Sequence, residues 1–123
     1  MVWYVALGGA LGSVARFLLG NLIQERAGPG FPLGTLVVNV TGSLLLGFLA
    51  ESTVANTASR EVRVFLTAGL CGGYTTFSTF SLETVRLLET GDHRRAALNV
   101  AGAVVLSLLA TAAGLALGRW TRS

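Results

Sequence analysis

The sequence predicts an all-α membrane protein of four transmembrane helices, the third broken in its middle, assembled as an antiparallel dual-topology homodimer. Three observations lead to the membrane class and the broken helix, and the arginine count taken up below leads to the antiparallel pair. The 123-residue chain is 52% hydrophobic, with more apolar surface than one small soluble core could hide. Its charged residues, only 12% of the total, gather between long apolar segments, as expected when those segments lie in hydrocarbon and their ends in water. A decapeptide, Gly72 to Ser81, sets glycine, hydroxyl and aromatic residues inside an otherwise aliphatic stretch. Backbone freed from regular hydrogen bonding at membrane depth is costly unless protein or a water-filled cavity surrounds it, so the rest of the chain reads as housing for this segment.

Residues 1–123 form a single domain. The first span covers residues 2–23, close to the ~20 residues a helix needs to cross a bilayer. It lacks the basic leader and cleavage site of a signal peptide and is read as a retained helix. Gly8, Gly12 and Gly20 share a stripe with Arg16, since steps of four return to nearly the same helix face; that stripe should face protein. Residues 24–32 hold both prolines and read as a loop or short re-entrant connection. The second span covers residues 33–54, with Thr35, Asn39 and Ser43 on one polar line. Residues 62–89 are too long for one simple span and should break near residues 71–76, where two adjacent glycines precede Tyr74, Thr75 and Thr76. A polar turn through Asp92 leads to the last span, residues 96–117, which carries Asn99, Ser107 and Thr111 on a drifting stripe.

Four spans put both termini on one side. Arg60, Arg63, Arg119 and Arg122 then fall near the terminal side, and Arg26, Arg86, Arg94 and Arg95 near the other. Four against four gives the insertion machinery no strong preference, which suits a chain inserted in both orientations; a weak residual bias toward one orientation is the alternative. All nine basic residues are arginine, without a basic run, which argues against nucleic-acid binding. Cys71, the sole cysteine, excludes an intrachain disulfide and reads as a small packing residue. His93, the sole histidine, lies in a turn, and no span holds paired carboxylates, so neither a metal cluster nor an enzyme's nucleophile is visible.

The candidate chemistry is that of ion handling. Phe77 and Phe80, three apart, share a helix face beside a line through Thr76, Thr79 and Glu83. They read either as lipid-facing or core residues, or as ring edges whose partial positive charge, with serine and threonine donors, solvates a small anion. Asn39 offers amide donors to a pore or a plain interhelical hydrogen bond. Arg16 either snorkels and pairs with Glu25 or Glu83, or makes an electropositive vestibule. Glu83 is open to snorkelling, capping, pairing with an arginine or proton coupling.

Residues Gly72-Gly73-Tyr74-Thr75-Thr76-Phe77-Ser78-Thr79-Phe80-Ser81 resemble the broken-helix signature of the Fluc (CrcB-type) fluoride channels. The runs from Gly34 to Gly42 and from Gly8 to Phe17 resemble that family's second-span and first-span motifs, and length and layout agree over the whole chain. The resemblance implies a multi-pass protein of a prokaryotic plasma or inner membrane, a dual-topology homodimer with two pores that pass cytoplasmic fluoride outward down its electrochemical gradient. It also implies a structural sodium ion at the dimer centre, held by the backbone carbonyls of Gly72 and Thr75 from both subunits. By motif position, Phe77 and Phe80 line the pore, Asn39 supplies its amide, and Ser78 and Thr79 its hydroxyl track. Arg16 joins them as a candidate for the vestibule. Asn99 and Ser107 are candidates from their stripe alone, because the fourth span has no motif to align. Tyr74 departs from the aliphatic residue expected at its position. Two other classes compete. A small multidrug-type antiporter needs an acidic residue in its first span, where this chain has Arg16; a non-transport assembly protein gives no reason for a broken, hydroxyl-rich helix.

Overall fold

A computed structural model describes residues 1–122, and among them the regular structure is all helical, without strands. Helix α1 spans Val2–Ala27, α2 Leu33–Glu51, α3 Thr53–Thr57 and α4 Arg60–Val64. A π-helix, Phe65–Cys71, follows directly, then α5 (Gly72–Tyr74), α6 (Phe77–Glu89) and α7 (His93–Arg122). Of these, α1, α2 and α7 are long and apolar enough to cross a membrane. Many large side chains on them are exposed in the isolated chain, Trp3, Phe17 and Leu108 among them, which suits a hydrocarbon surround.

Helix ends shift from their expected places for local reasons. α1 runs on to Ala27 until Gly28 adopts a positive φ of 82°, and the Gln24 side chain ties the loop after it. Its amide donates to the carbonyls of Gly28 and Phe31, and its oxygen accepts from the Gly34 amide. α7 starts three residues early because the Asp92 carboxylate accepts from the Arg95 amide, an N-cap bond. α2 ends at Glu51, whose carboxylate lies 2.8 Å from Arg122 and 3.7 Å from Arg119, so the ends of α2 and α7 are tied together.

Helices approach through glycine, as in lipid, where small residues let backbones come close. A Cβ at Gly47 would strike the Thr111 carbonyl, one at Gly114 the Leu44 carbonyl, and one at Gly118 the Phe48 carbonyl. Leu36 with Gly102, Leu44 with Gly114, Phe48 with Gly118 and Glu51 with Arg122 rise together along both helices, so α2 and α7 run parallel. The interrupted segment from Arg60 to Glu89 must therefore return the chain from the Glu51 end to the Gly30 end, where Arg95 meets Gly30. It does so alongside α1: a Cβ at Gly8 would meet Phe65 and Gly69, and one at Gly12 would meet Leu70 and Tyr74. The stripe of Gly8, Gly12 and Arg16 faces protein, as its spacing predicts.

The interruption itself sits later than the glycine pair suggests. Gly72 stays helical (φ −63°, ψ −39°), while Thr75 (φ −84°, ψ 155°) and Thr76 (φ −149°, ψ 115°) are extended. Gly73 serves close packing, since its Cβ would stand 2.6 Å from the Gly9 carbonyl oxygen. What opens the helix is a side chain from α2.

Candidate functional site at the helix break

The Thr76 amide donates to Asn39 Oδ1 at 2.8 Å, and Asn39 Nδ2 donates to the Thr76 carbonyl at 3.0 Å. Asn39 thus gives Thr76 both of the bonds that a neighbouring strand would give. α6 then restarts with Thr76 as its N-cap, the hydroxyl accepting from the Thr79 amide at 3.2 Å. Upstream, the Cys71 carbonyl accepts from both the amide and the hydroxyl of Thr75, and the Gly73 carbonyl accepts from Arg16 Nε at 3.1 Å. Arg16 is therefore bound to the break rather than to Glu25 or Glu83.

These bonds have a consequence for two carbonyls. A continuous helix would give the Gly72 carbonyl the Thr76 amide, which is engaged by Asn39, and would give the Thr75 carbonyl the Thr79 amide, which is engaged by the Thr76 hydroxyl. Both oxygens are left without the donors a helix normally supplies. Hard backbone oxygens in that condition could hold a small cation, and Gly72 is exposed in the isolated chain.

Beside the clamp lies a cavity of about 300 Å³ lined by Asn39, Ser43, Thr76, Phe77, Phe80 and Ser107, with small and aliphatic residues completing the wall. The two rings are 5.5 Å apart between centroids and tilted by 48°, and Phe77 is 77% exposed. A second cavity, of about 170 Å³, contains Arg16, Thr35, Thr76, Thr79 and Glu83. Glu83 Oε1 is buried there without a hydrogen-bond partner. Thr76 borders both spaces.

Of the sequence candidates, Asn39, Phe77, Phe80 and Ser107 meet in the first cavity, and Arg16 and Thr79 line the second. Ser78 is exposed, 3.4 Å from the Thr76 hydroxyl, and lines neither. Asn99 is 2% exposed and donates to the Thr84 hydroxyl at 3.0 Å, a pin between α7 and α6 away from both cavities. Ser43, Thr35 and Glu83 line cavities without having been assigned to the site; their signal was the four-residue step from Asn39 for the first two, and the line through Thr76 and Thr79 for the third.

Three long apolar helices and an interrupted helical segment wrapped in polar side chains define a multi-pass membrane protein with a discontinuous helix, the arrangement by which membrane proteins bring backbone and polar groups to an ion. The family model described as CrcB-like protein, Camphor Resistance (CrcB), matches residues 3–115, and the chain belongs to that family. It is 56% identical over 116 residues to the protein named fluoride-specific ion channel FluC of Rhizobium meliloti, covering 94% of this chain and 93% of that one. Proteins of the same name from Nitrobacter winogradskyi and Geobacter sulfurreducens are 53% and 48% identical over 116 residues, covering 94% of this chain and 92% and 94% of theirs.

Proposed function

We propose that this protein is a fluoride-selective ion channel that lets cytoplasmic fluoride leave the cell down its electrochemical gradient. The observation that carries the reading is the cavity in which the Asn39 amide, the Ser43 and Ser107 hydroxyls and the paired Phe77 and Phe80 rings converge beside an opened helix. Relatives of similar length that bear the name of a fluoride channel support it, and nothing in that cavity resembles an enzyme's nucleophile and base. A small, strongly hydrated anion needs donors to replace its water, yet it must leave again. Ring edges and neutral hydroxyls offer many weak contacts in place of one tight one. Thr79 would extend the hydroxyl track and Arg16 would hold positive charge beside the second cavity, while Ser78, outside both cavities, would join the track only through the Thr76 hydroxyl 3.4 Å away.

The interrupted segment serves, in this reading, as a fourth passage through a plasma or inner membrane, with both termini on one side. The chain pairs with an antiparallel copy, giving two pores per dimer and covering each break with its twin. The carbonyls of Gly72 and Thr75 from both subunits would hold a structural sodium ion, whose charge offsets the dipoles that the Asn39 clamp and the Thr76 cap strand. The antiporter alternative is disfavoured by Arg16, which occupies the first helix where an exchangeable carboxylate is needed, and binds the Gly73 carbonyl.

The test is fluoride efflux from liposomes containing the purified protein, run beside chloride. Fluoride release without chloride release is expected. Equal permeation of both anions, or no fluoride movement through well-folded protein, would overturn the channel reading. Cysteine or epitope labelling of the C-terminus from each side of the membrane tests the antiparallel pair, which requires labelling from both.

A further inference from the structure

Tyr74, the departure noted in the sequence, is the last residue of α5, and its hydroxyl lies 2.8 Å from Thr41 Oγ1 on α2. The direction of this bond follows from Thr41. Its single proton is directed at the carbonyls of Val37 (2.8 Å) and Val38 (3.1 Å), so Thr41 accepts and Tyr74 donates. The ring is fixed as well: a Cβ at Gly42 would stand 3.0 Å from Tyr74 Cδ2 and would strike the Thr75 methyl, so only glycine leaves room for both. Tyr74 is thus anchored to two successive residues of α2.

Two residues on, Asn39 of the same helix holds the Thr76 backbone. The intervening peptide, which carries the Thr75 carbonyl, is suspended between two anchors on one rigid element. On the other side, Arg16 holds the Gly73 carbonyl, one residue after Gly72. We propose that Tyr74 is a positioning residue: by donating to Thr41 it fixes the directions of the Thr75 and Gly72 carbonyls toward the cation of the proposed function, on which this inference rests.

Tyr74→Phe removes the donor and keeps the ring against Gly42, while Thr41→Val removes the acceptor from the opposite helix. The measurement is thermal unfolding of the purified full chain in detergent against sodium chloride, with choline chloride holding ionic strength constant. Wild type should gain stability with sodium and saturate. Each variant should raise the sodium concentration at half-effect by about fivefold, the worth of one ordinary hydrogen bond. The double variant should go no further, because both changes remove the same bond. A role in packing alone lowers the melting temperature equally at every sodium concentration and leaves the half-effect concentration unmoved; that result in both variants overturns the proposal. Should Tyr74→Phe fail to fold, Thr41→Val carries the test. A wild type indifferent to sodium removes the sodium reading first, and the role of Tyr74 with it, which separates the two failures.

Discussion

Asn39 and Thr76, 37 residues apart, exchange two hydrogen bonds between one carboxamide and the N–H and C=O of one residue, at the point where α5 ends and α6 starts. No helix-breaking residue stands at the point of interruption. A tertiary contact substitutes for sequence propensity.

Asn39→Asp is therefore expected to be more informative than Asn39→Ala. The aspartate still accepts from the Thr76 amide but has no donor for the Thr76 carbonyl, and it presents negative charge to the first cavity. Fluoride flux should be abolished in both variants. The alanine variant should also lose about 1–3 kcal/mol of stability in denaturant titration, the range for a buried partner left unsatisfied.

Gly73 and Gly9 face each other across α5 and α1, yet their substitutions should differ sharply. A Cβ at Gly73 would stand 2.6 Å from the Gly9 carbonyl oxygen and 2.9 Å from its Cα, whereas a Cβ at Gly9 meets nothing within 4 Å. Gly73→Ala should cost at least about 1–3 kcal/mol through overpacking against unyielding backbone. Gly9→Ala should be neutral or stabilising by up to about 1 kcal/mol, because alanine is the better helix former. Thermal melts of the two single variants check the contrast.

Phe80→Ile keeps apolar bulk in the cavity and removes the ring's electropositive edge. Fluoride efflux should fall by roughly tenfold or more, with the unfolding transition shifted little, since the effect sought is the aromatic contribution beyond burial. Flux unchanged by isoleucine would mean that the rings serve only to fill space.

Asn99→Leu separates a pore group from a structural one. Its amide is buried on the Thr84 hydroxyl, so the variant should lose about 1–3 kcal/mol while any folded fraction retains wild-type fluoride flux. Thr84→Val should reproduce the stability loss. A selective fall in flux, with stability intact, would return Asn99 to the pore.

The contrast between Asn39 and Asn99 also shows where the sequence stops being legible. Both are asparagines on polar stripes of apolar helices, and spacing treats them alike; only three-dimensional neighbours distinguish a residue that borders a cavity from one that pins two helices. The decapeptide was visible because its composition breaks an aliphatic pattern, and the glycine stripe of α1 because steps of four are a property of the chain alone. The break falls at Thr75 and Thr76, within the expected residues 71–76 but past the glycine pair, since Gly73 serves the approach to α1 and Asn39 of α2 holds the opened Thr76. Ser107 reached the cavity from a stripe without a motif, while Ser78, within the strongest motif, points to neither cavity.

The wide turn from Phe65 to Cys71 left no mark in composition, but it governs the phase of everything after it. A π-helical turn holds one residue more than an α-helical one, so each downstream side chain is rotated by about 100° from where regular winding would aim it. Gly73 meets Gly9, and Tyr74 meets Thr41, only with that rotation in place. Regular α winding of the same residues would leave every motif spelled as before and turn them all toward the wrong neighbours. The spelling of the decapeptide and its azimuth are separately encoded, and a chain could lose the second while keeping the first intact.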